Sequence, residues 1–316
     1  MRAFGLSLDF DGLDPPGAWE RHAGGDSPLR VRLETRAQIA ASWSGRKEVG
    51  WEATIDGARF VVERGVAGDH RFVHGADPAA GEGASTLAIH HLDAEAGLLR
   101  CAPADADGPL WWRVVLDSVL FTVALLRGYE ALHAGAVASR GAAVAITAAS
   151  GGGKSTLLAE LVRRDLDLIA DDVLVLEQSD ERGLIAHPAP PLMTVPAAVR
   201  GLGADTPERP ICAIGGEHWI AVRVRPEPLA LRALVVLDRR AGSGVSIDEI
   251  REPLATLMGS CLRFPRSAAR ERSRFELASA LSAQARLLRL EADVDTPPTI
   301  LADTLLETLC QEARMS

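Results

Sequence analysis

The stretch Ala149 to Thr156 reads ASGGGKST and follows an apolar run. Glycines ahead of Lys-Ser-Thr have the composition of a loop that wraps phosphate. They let successive backbone N–H groups turn inward at an anion without Cβ clashes. A helix that starts there adds its own unpaired N–H groups and the positive end of its dipole. Lys154 is then placed to neutralise the terminal phosphates of a nucleoside triphosphate. The Ser155 hydroxyl would ligate Mg²⁺. The full pattern is G-x-x-x-x-G-K-[ST]. Ala148 stands at its first glycine, while Gly151, Gly153, Lys154 and Ser155 are intact. The plain alternative is a glycine-rich turn that caps an ordinary helix.

Two acids follow. Asp171-Asp172 sits at the end of the strand expected after the loop's helix, where open α/β sheets assemble catalysis. Adjacent carboxylates can divide the labour, one holding Mg²⁺ and the other taking the proton of an attacking hydroxyl. A polar turn is the alternative. His133, in LHAGAVA, would reach the same sheet end if its strand pairs with the loop's strand; alone, a histidine in an apolar strand is more often structural. His70/His74 and His90-His91 have metal-like spacing but no carboxylate company.

These residues need elements to hold them. Residues 1–108 contain short β-like runs (LRVRLET, WEATIDGARFVVER, STLAIHHLDA) separated by Gly, Pro and Asp clusters, so a small β-rich region is expected. DADGP marks a boundary, and residues 109–316 read as a second region. It opens with a helix from Leu110, Val114, Val115, Val119, Leu120, Val123 and Leu126, stopped at Gly128. A strand ALHAGAVAS, a turn SRGA, a strand AVAIT, the glycine loop and a helix with Leu157, Leu158, Leu161 and Val162 come next. LDLIA, VLVLE and LRALVVLDR read as strands. HPAPPLMTVPAA reads as a proline-broken loop. EPLATLMGSCLRF and RFELASALSAQAR read as helices, ARLLRLEAD as a late strand, and the segment from Pro297 as a C-terminal helix.

Composition narrows the classes. The net charge of −9 and a pI of about 5.4 argue against a general nucleic-acid binder. The local exception is the arginine-rich stretch Arg263 to Arg274, with Arg263, Arg266, Arg270 and Arg272, which is a solvated helix face or a site for an acidic or peptidic partner. Cys101, Cys212, Cys261 and Cys310 show no CxxC spacing, so they give no zinc site and suit a reducing cytoplasm. The longest apolar stretch, Leu110 to Leu126, is interrupted or flanked by Arg113, Asp117 and Arg127 and reads as a core helix, not a membrane span. MRAFGLSLDFDGLD meets acidic residues too early for a signal peptide.

The segment LHAGAVASRGAAVAITAASGGGKSTLLAELVRRDLDLIADDVLVLE resembles the core of HPr kinase/phosphorylase and its shorter relatives. They share the histidine before the loop, the loop, and the Asp-Asp after the next strand. The resemblance implies an α/β P-loop kinase core with a mixed sheet of the HPr-kinase type, preceded by the β-rich region. It implies ATP and Mg²⁺ as cofactors, Ser150, Gly151, Gly152, Gly153, Lys154, Ser155 and Thr156 on the ATP phosphates, Asp171 as base toward an acceptor serine, Asp172 and Ser155 on Mg²⁺, and His133 near the transferred phosphate. The family's later metal-binding glutamate and glycine-rich signature are not found. Some short relatives act on ribosomally made peptides, including lasso-peptide precursors, and a chain of this size fits that group. The resemblance thus implies a small protein or peptide partner and a cytoplasmic enzyme; a homo-oligomer is open by analogy. Two further readings stand beside it: a kinase of a small-molecule hydroxyl, and a nucleotide-binding regulatory protein with little transfer.

Overall fold

The computed structural model describes residues 1–20, 28–55, 58–75, 86–197, 210–214, 216–242, 244–251, 253–262 and 268–312. It divides into two compact units. One comprises Met1–Gly128 with Arg263–Glu271, the other Tyr129–Leu262 with Arg272–Ser316. Arg263 and Arg266 lie outside the described residues.

The first unit contains β1 (Arg2–Ala3), β2 (Leu6–Asp9), β3 (Leu29–Leu33), α1 (Arg36–Ser42), β4 (Arg46–Ile55), β5 (Ala58–Gly65), β6 (His70–Gly75), β7 (Thr86–Leu92) and β8 (Leu98–Pro103). The strands form one sheet in the order β1-β2-β3-β8-β7-β6-β5-β4. Phe60, Val62 and Phe72 are buried on it. Helix α1 starts at a capping box: Gln38 N donates to Thr35 Oγ1 at 3.2 Å, and Thr35 N donates to Gln38 Oε1 at 2.8 Å. At its other end, Ser42 Oγ lies 3.0 Å from His91 Nδ1, and His91 Nε2 lies 2.9 Å from Asp69 Oδ2. The order of groups is that of a serine hydrolase, but the hydroxyl stands among the carbonyls of a helix C-terminus, which repel an oxyanion. The chain of contacts ties α1 to the sheet.

The helical periodicity of residues 110–126 is realised as α2 (Leu110–Val114), a π-turn (Val115–Val119) and α3 (Leu120–Leu126), ended by Gly128 at φ +96°. The expected boundary near residue 108 placed this helix in the second region; it packs in the first. Phe121 meets Phe4 and Trp112 meets Phe10, with ring centroids 6.4 and 5.6 Å apart, both edge-on. These aromatic faces need the sheet's apolar surface, so the division falls after Gly128.

The second unit runs β9 (Glu130–His133), β10 (Gly135–Ser139), β11 (Ala142–Ala148), α4 (Lys154–Arg163), β12 (Leu168–Ala170), β13 (Val173–Ser179), β14 (Gly183–His187), β15 (Leu192–Pro196), β16 (Cys212–Ile214), β17 (Glu217–Ala221), β18 (Leu229–Arg239), β19 (Ser246–Glu249), α5 (Pro253–Ser260), α6 (Ala268–Gln284), β20 (Arg286–Ala292) and α7 (Pro298–Glu312). The first residues of α6 cluster with the first unit. The main sheet has the order β12-β10-β11-β18-β14-β13-β9, with β20 on β18 and β19 on β20. It is mixed, as expected. Strand β10 is antiparallel to both β11 and β12, and β11, β18 and β20 are mutually parallel. Hence β11, β12, β18 and β20 all run the same way and end at one edge. Helices α4 and α7 cover the sheet through Leu157, Leu161, Leu301 and Leu305, all fully buried. Arg164 ties the two helices, donating to Asp303 and, at 3.0 Å, to the Thr299 carbonyl.

Two expectations change here. ALHAGAVAS is not one strand; it breaks at Ala134 because β9 pairs with β13 while β10 pairs with β11 and β12. HPAPPLMTVPAA is not all loop. Leu192–Pro196 forms β15, the edge of a three-stranded sheet with β17 and β16. An edge strand tolerates Pro196, whose missing N–H costs no ladder bond on the open side.

The histidine pairs do not gather a metal site; among the described residues no three His, Cys, Asp or Glu side chains do. His90 is fully buried with no hydrogen-bond partner on either ring nitrogen. Burial pushes its pKa down to about 3, and His74 acts in the same direction. The unfolded chain takes up that proton near pH 6.5. The folded unit therefore keeps its full stability above that value and loses about 1.4 kcal/mol per pH unit as acid is added, down to the folded pKa. Five of the six tryptophans lie in this unit. Urea titrations followed by tryptophan fluorescence between pH 7 and 4 are expected to show a falling midpoint, and His90→Leu to flatten the fall.

Candidate nucleotide-binding and transfer site

The hairpin β10–β11 turns at Arg140 and Gly141, φ +52° and +78°, the double positive φ of a tight two-residue turn. It sends β11 to the sheet edge, where the chain leaves as the glycine loop. Gly151 has φ +74° and Gly153 φ +91°. Gly153 is the N-cap of α4, with no side chain capping it, and its carbonyl accepts from Leu157 N at 2.9 Å. The first amides of α4 therefore remain available to an anion. Ser150 and Gly151 are exposed; Gly152, Gly153, Ser155 and Thr156 are half-buried.

The alanine at position 148 has a physical counterpart two residues before the lysine. A Cβ on Gly152 would lie 2.8 Å from the Ala149 carbonyl oxygen and 3.1 Å from the Ala148 Cβ. Ala148 thus fills space that a side chain at 152 would need.

Lys154 is only 8% exposed. Its Nζ donates to Asp172 Oδ1 at 2.7 Å and to the Asp171 carbonyl at 3.0 Å. His133 Nδ1 lies 3.6 Å from the same Asp172 oxygen. The Asp172 side chain is 61% exposed and faces the loop. Asp171 is half-buried, and its Oδ2 accepts from the Thr194 backbone N–H at 2.7 Å. The structure therefore brings Lys154, Asp171, Asp172 and His133 together beside the loop. His133 gets there through β13, since it pairs with Val173, and not through the loop's own strand. The Thr147 hydroxyl donates to the His133 carbonyl at 2.9 Å and fixes the histidine's backbone to the loop strand.

Several supporting residues escaped the sequence reading. Gly135 carries the closest packing: a Cβ there would lie 2.1 Å from Leu158 Cδ1 and 2.4 Å from the Asp171 carbonyl. A glycine inside a strand run was an available signal for such an approach. Thr194 gave none, because its strand was hidden among prolines. Arg239 ends β18 next to the loop, and only the strand pairing reveals that. The arginine-rich stretch is not one face: Arg272 is exposed, whereas Arg274 is 2% exposed and belongs to the core.

The oxygen donors suit Mg²⁺. The Ser155 hydroxyl and the exposed Asp172 carboxylate would be hard ligands for it. A cation of this kind commonly sits on one or two such groups plus substrate phosphates, without a protein-only cage.

The loop geometry carries a prediction. Gly152→Ala drives a Cβ into backbone, which no rotamer change relieves, and is expected to cost about 1–3 kcal/mol. Ala148→Gly relieves only the Ala148 contact, so the double variant should recover part of the loss. Thermal melting with and without Mg-ATP checks both.

No protein-family model matches the chain. Curated relatives do. The HPr kinase/phosphorylase of Shouchella clausii is 42% identical over 73 residues, which is 23% of this chain and 23% of the relative. That of Nitrosomonas europaea is 38% identical over 117 residues, 37% of this chain and 33% of the relative. The chain thus spans between about a quarter and a third of the length of the curated relatives it matches. A solved structure of the Hpr(Ser) kinase/phosphatase from Coxiella burnetii aligns with 58% of this chain and 98% of its own, at 15% identity and a TM-score of 0.33. Over those matched stretches the chain is similar to HPr kinase/phosphorylases.

Proposed function

We propose that the chain is an ATP- and Mg²⁺-dependent kinase that transfers the γ-phosphate to a serine hydroxyl of a small protein or ribosomally made peptide, with lasso-peptide precursors as the peptide class. The observation that carries this reading is the contact of Lys154 Nζ with Asp172 Oδ1 at 2.7 Å and with the Asp171 carbonyl at 3.0 Å. It puts the phosphate-neutralising cation and the acid pair at one spot. The relatives are named for both kinase and phosphorylase action, and the reading for this chain is the kinase direction.

In this reading the loop amides and Lys154 hold the triphosphate. The acceptor oxygen attacks the γ-phosphorus, the bond from that phosphorus to the β,γ-bridging oxygen breaks, and ADP leaves. The hydroxyl proton passes to Asp171, whose carboxylate is kept in position by the Thr194 amide. The transition state is loose, so positioning and charge carry most of the catalysis. Ser155 and Asp172 would hold Mg²⁺, which when bound neutralises charge on the phosphate oxygens. His133, against Asp172, orients that carboxylate and lies near the transferred group. No helix among the described residues is long and apolar enough to cross a membrane, and we place the reaction in the cytoplasm, where ATP is supplied.

The test is transfer from γ-labelled ATP to the small peptides encoded beside the gene, read by mass. A single phosphate on serine is expected. Asp171→Asn should reduce transfer by about 10²–10⁴-fold with ATP affinity nearly unchanged, while Lys154→Ala should weaken both. Transfer undiminished in Asp171→Asn removes the base assignment. Nucleotide binding without transfer to any peptide leaves the small-molecule kinase and the regulatory binding protein, which ATP turnover with hydroxylated metabolites then separates.

A further inference from the structure

Arg239 is a half-buried arginine at the last position of β18, the parallel neighbour of the loop strand. Its Nη1 donates to two backbone carbonyls in the turn before α7, that of Asp293 at 2.7 Å and that of Thr296 at 2.9 Å. The nearby Asp293 carboxylate is already used: it accepts from Gly242 N at 2.5 Å and from Asp295 N at 3.0 Å. Other arginines here have carboxylate partners, such as Arg164 with Glu160, Arg223 with Asp167 and Arg240 with Asp238. Among the described residues, Arg239 makes no such pair. The other edge of its guanidinium, Nε and Nη2, faces the glycine loop. A Cβ built on Gly153 would lie 3.7 Å from each of these two nitrogens.

An arginine with one edge pinned by carbonyls and the other edge open presents a pre-set pair of N–H donors. That fork matches two oxygens of a phosphate, and little side-chain freedom is left to lose on binding. Gly153 is the N-cap of α4, so the open edge stands beside the helix amides that receive an anion. The positive φ of Gly153 and its missing side chain keep the space between them clear.

We infer that Arg239 is a phosphate-binding residue of this site, donating Nε–H and Nη2–H to a phosphate group of the nucleotide from the side of the loop opposite Asp171 and Asp172. The inference rests on the reading of the loop as a nucleotide site. It adds a second cation to Lys154, from another strand and with a different geometry.

The experiment compares wild type, Lys154→Ala, Arg239→Gln and Arg239→Lys by calorimetric titration with Mg-ATP, tripolyphosphate and adenosine, and by thermal melting without ligand. Arg239→Gln is expected to weaken Mg-ATP and tripolyphosphate about ten- to hundredfold and to leave adenosine unchanged. Arg239→Lys keeps the charge and loses the fork, so it should fall between. A lower melting temperature with unchanged affinity for both phosphates would mean that Arg239 only ties the turn to β18, and the inference would fail while the nucleotide reading stands. If Arg239→Gln does not fold, Arg239→Lys decides: weaker binding supports the inference, equal binding overturns it. If wild type binds neither phosphate ligand, the nucleotide reading falls and takes the inference with it.

Discussion

The face of the second unit that carries Lys154 and the acid pair depends on one close approach. Strand β10 runs so near α4 and the backbone of Asp171 that only a glycine fits at position 135. That proximity fixes how deep α4 sits on the sheet. It thereby fixes the reach of Lys154, the first residue of α4, to the carbonyl of Asp171 and the carboxylate of Asp172. A larger residue at 135 would lift the helix or push the acid pair outward, and either would separate the cation from the acids by more than a hydrogen bond's length.

The lysine's partners have unequal strength. A nearly buried ammonium must be matched by acceptors, and the Asp171 carbonyl is part of the folded frame. The Asp172 carboxylate is mostly exposed, so water competes for its side of the ion pair. If the loop holds a triphosphate, as proposed, its denser charge at the same place would replace that pair. In that reading Asp172 would then be able to hold Mg²⁺. The exposed acid would thus serve the resting lysine and the loaded site in turn, whereas Asp171 is tied to the Thr194 amide.

Local chemistry made the loop, its helix and the acid pair legible in the sequence, because each depends on a few adjacent residues. Glycines before Lys-Ser, a leucine face on α4 and an Asp-Asp after LDLIA need no distant partner to be recognised. What could not be read was long-range pairing. His133 arrives through β13, Thr194 through a strand disguised by prolines, and Arg239 through the parallel pairing of β11 with β18. The first boundary was misplaced for the same reason: a helix's periodicity shows that it has an apolar face, not which sheet covers it. Trp112 and Phe121 settle that only once Phe10 and Phe4 are in place. The π-turn within that helix left no trace in the spacing.

The shared direction of β11, β12, β18 and β20 explains why residues so far apart in the chain converge. Ends of parallel strands collect at one edge, and ligands bind there. Here the central strand delivers the glycine loop, one flank delivers Asp171 and Asp172, and the other delivers Arg239. Charge is thus divided across the loop, acids on one side and a guanidinium on the other, with Lys154 on the acid side. A polyphosphate laid along the loop would meet donors on the first flank it reaches and carboxylates on the second. In the proposed reading such asymmetry would give the ligand a direction, since only one end would face the acids that a hydroxyl acceptor needs. A glycine-rich turn that merely capped a helix would require no such arrangement.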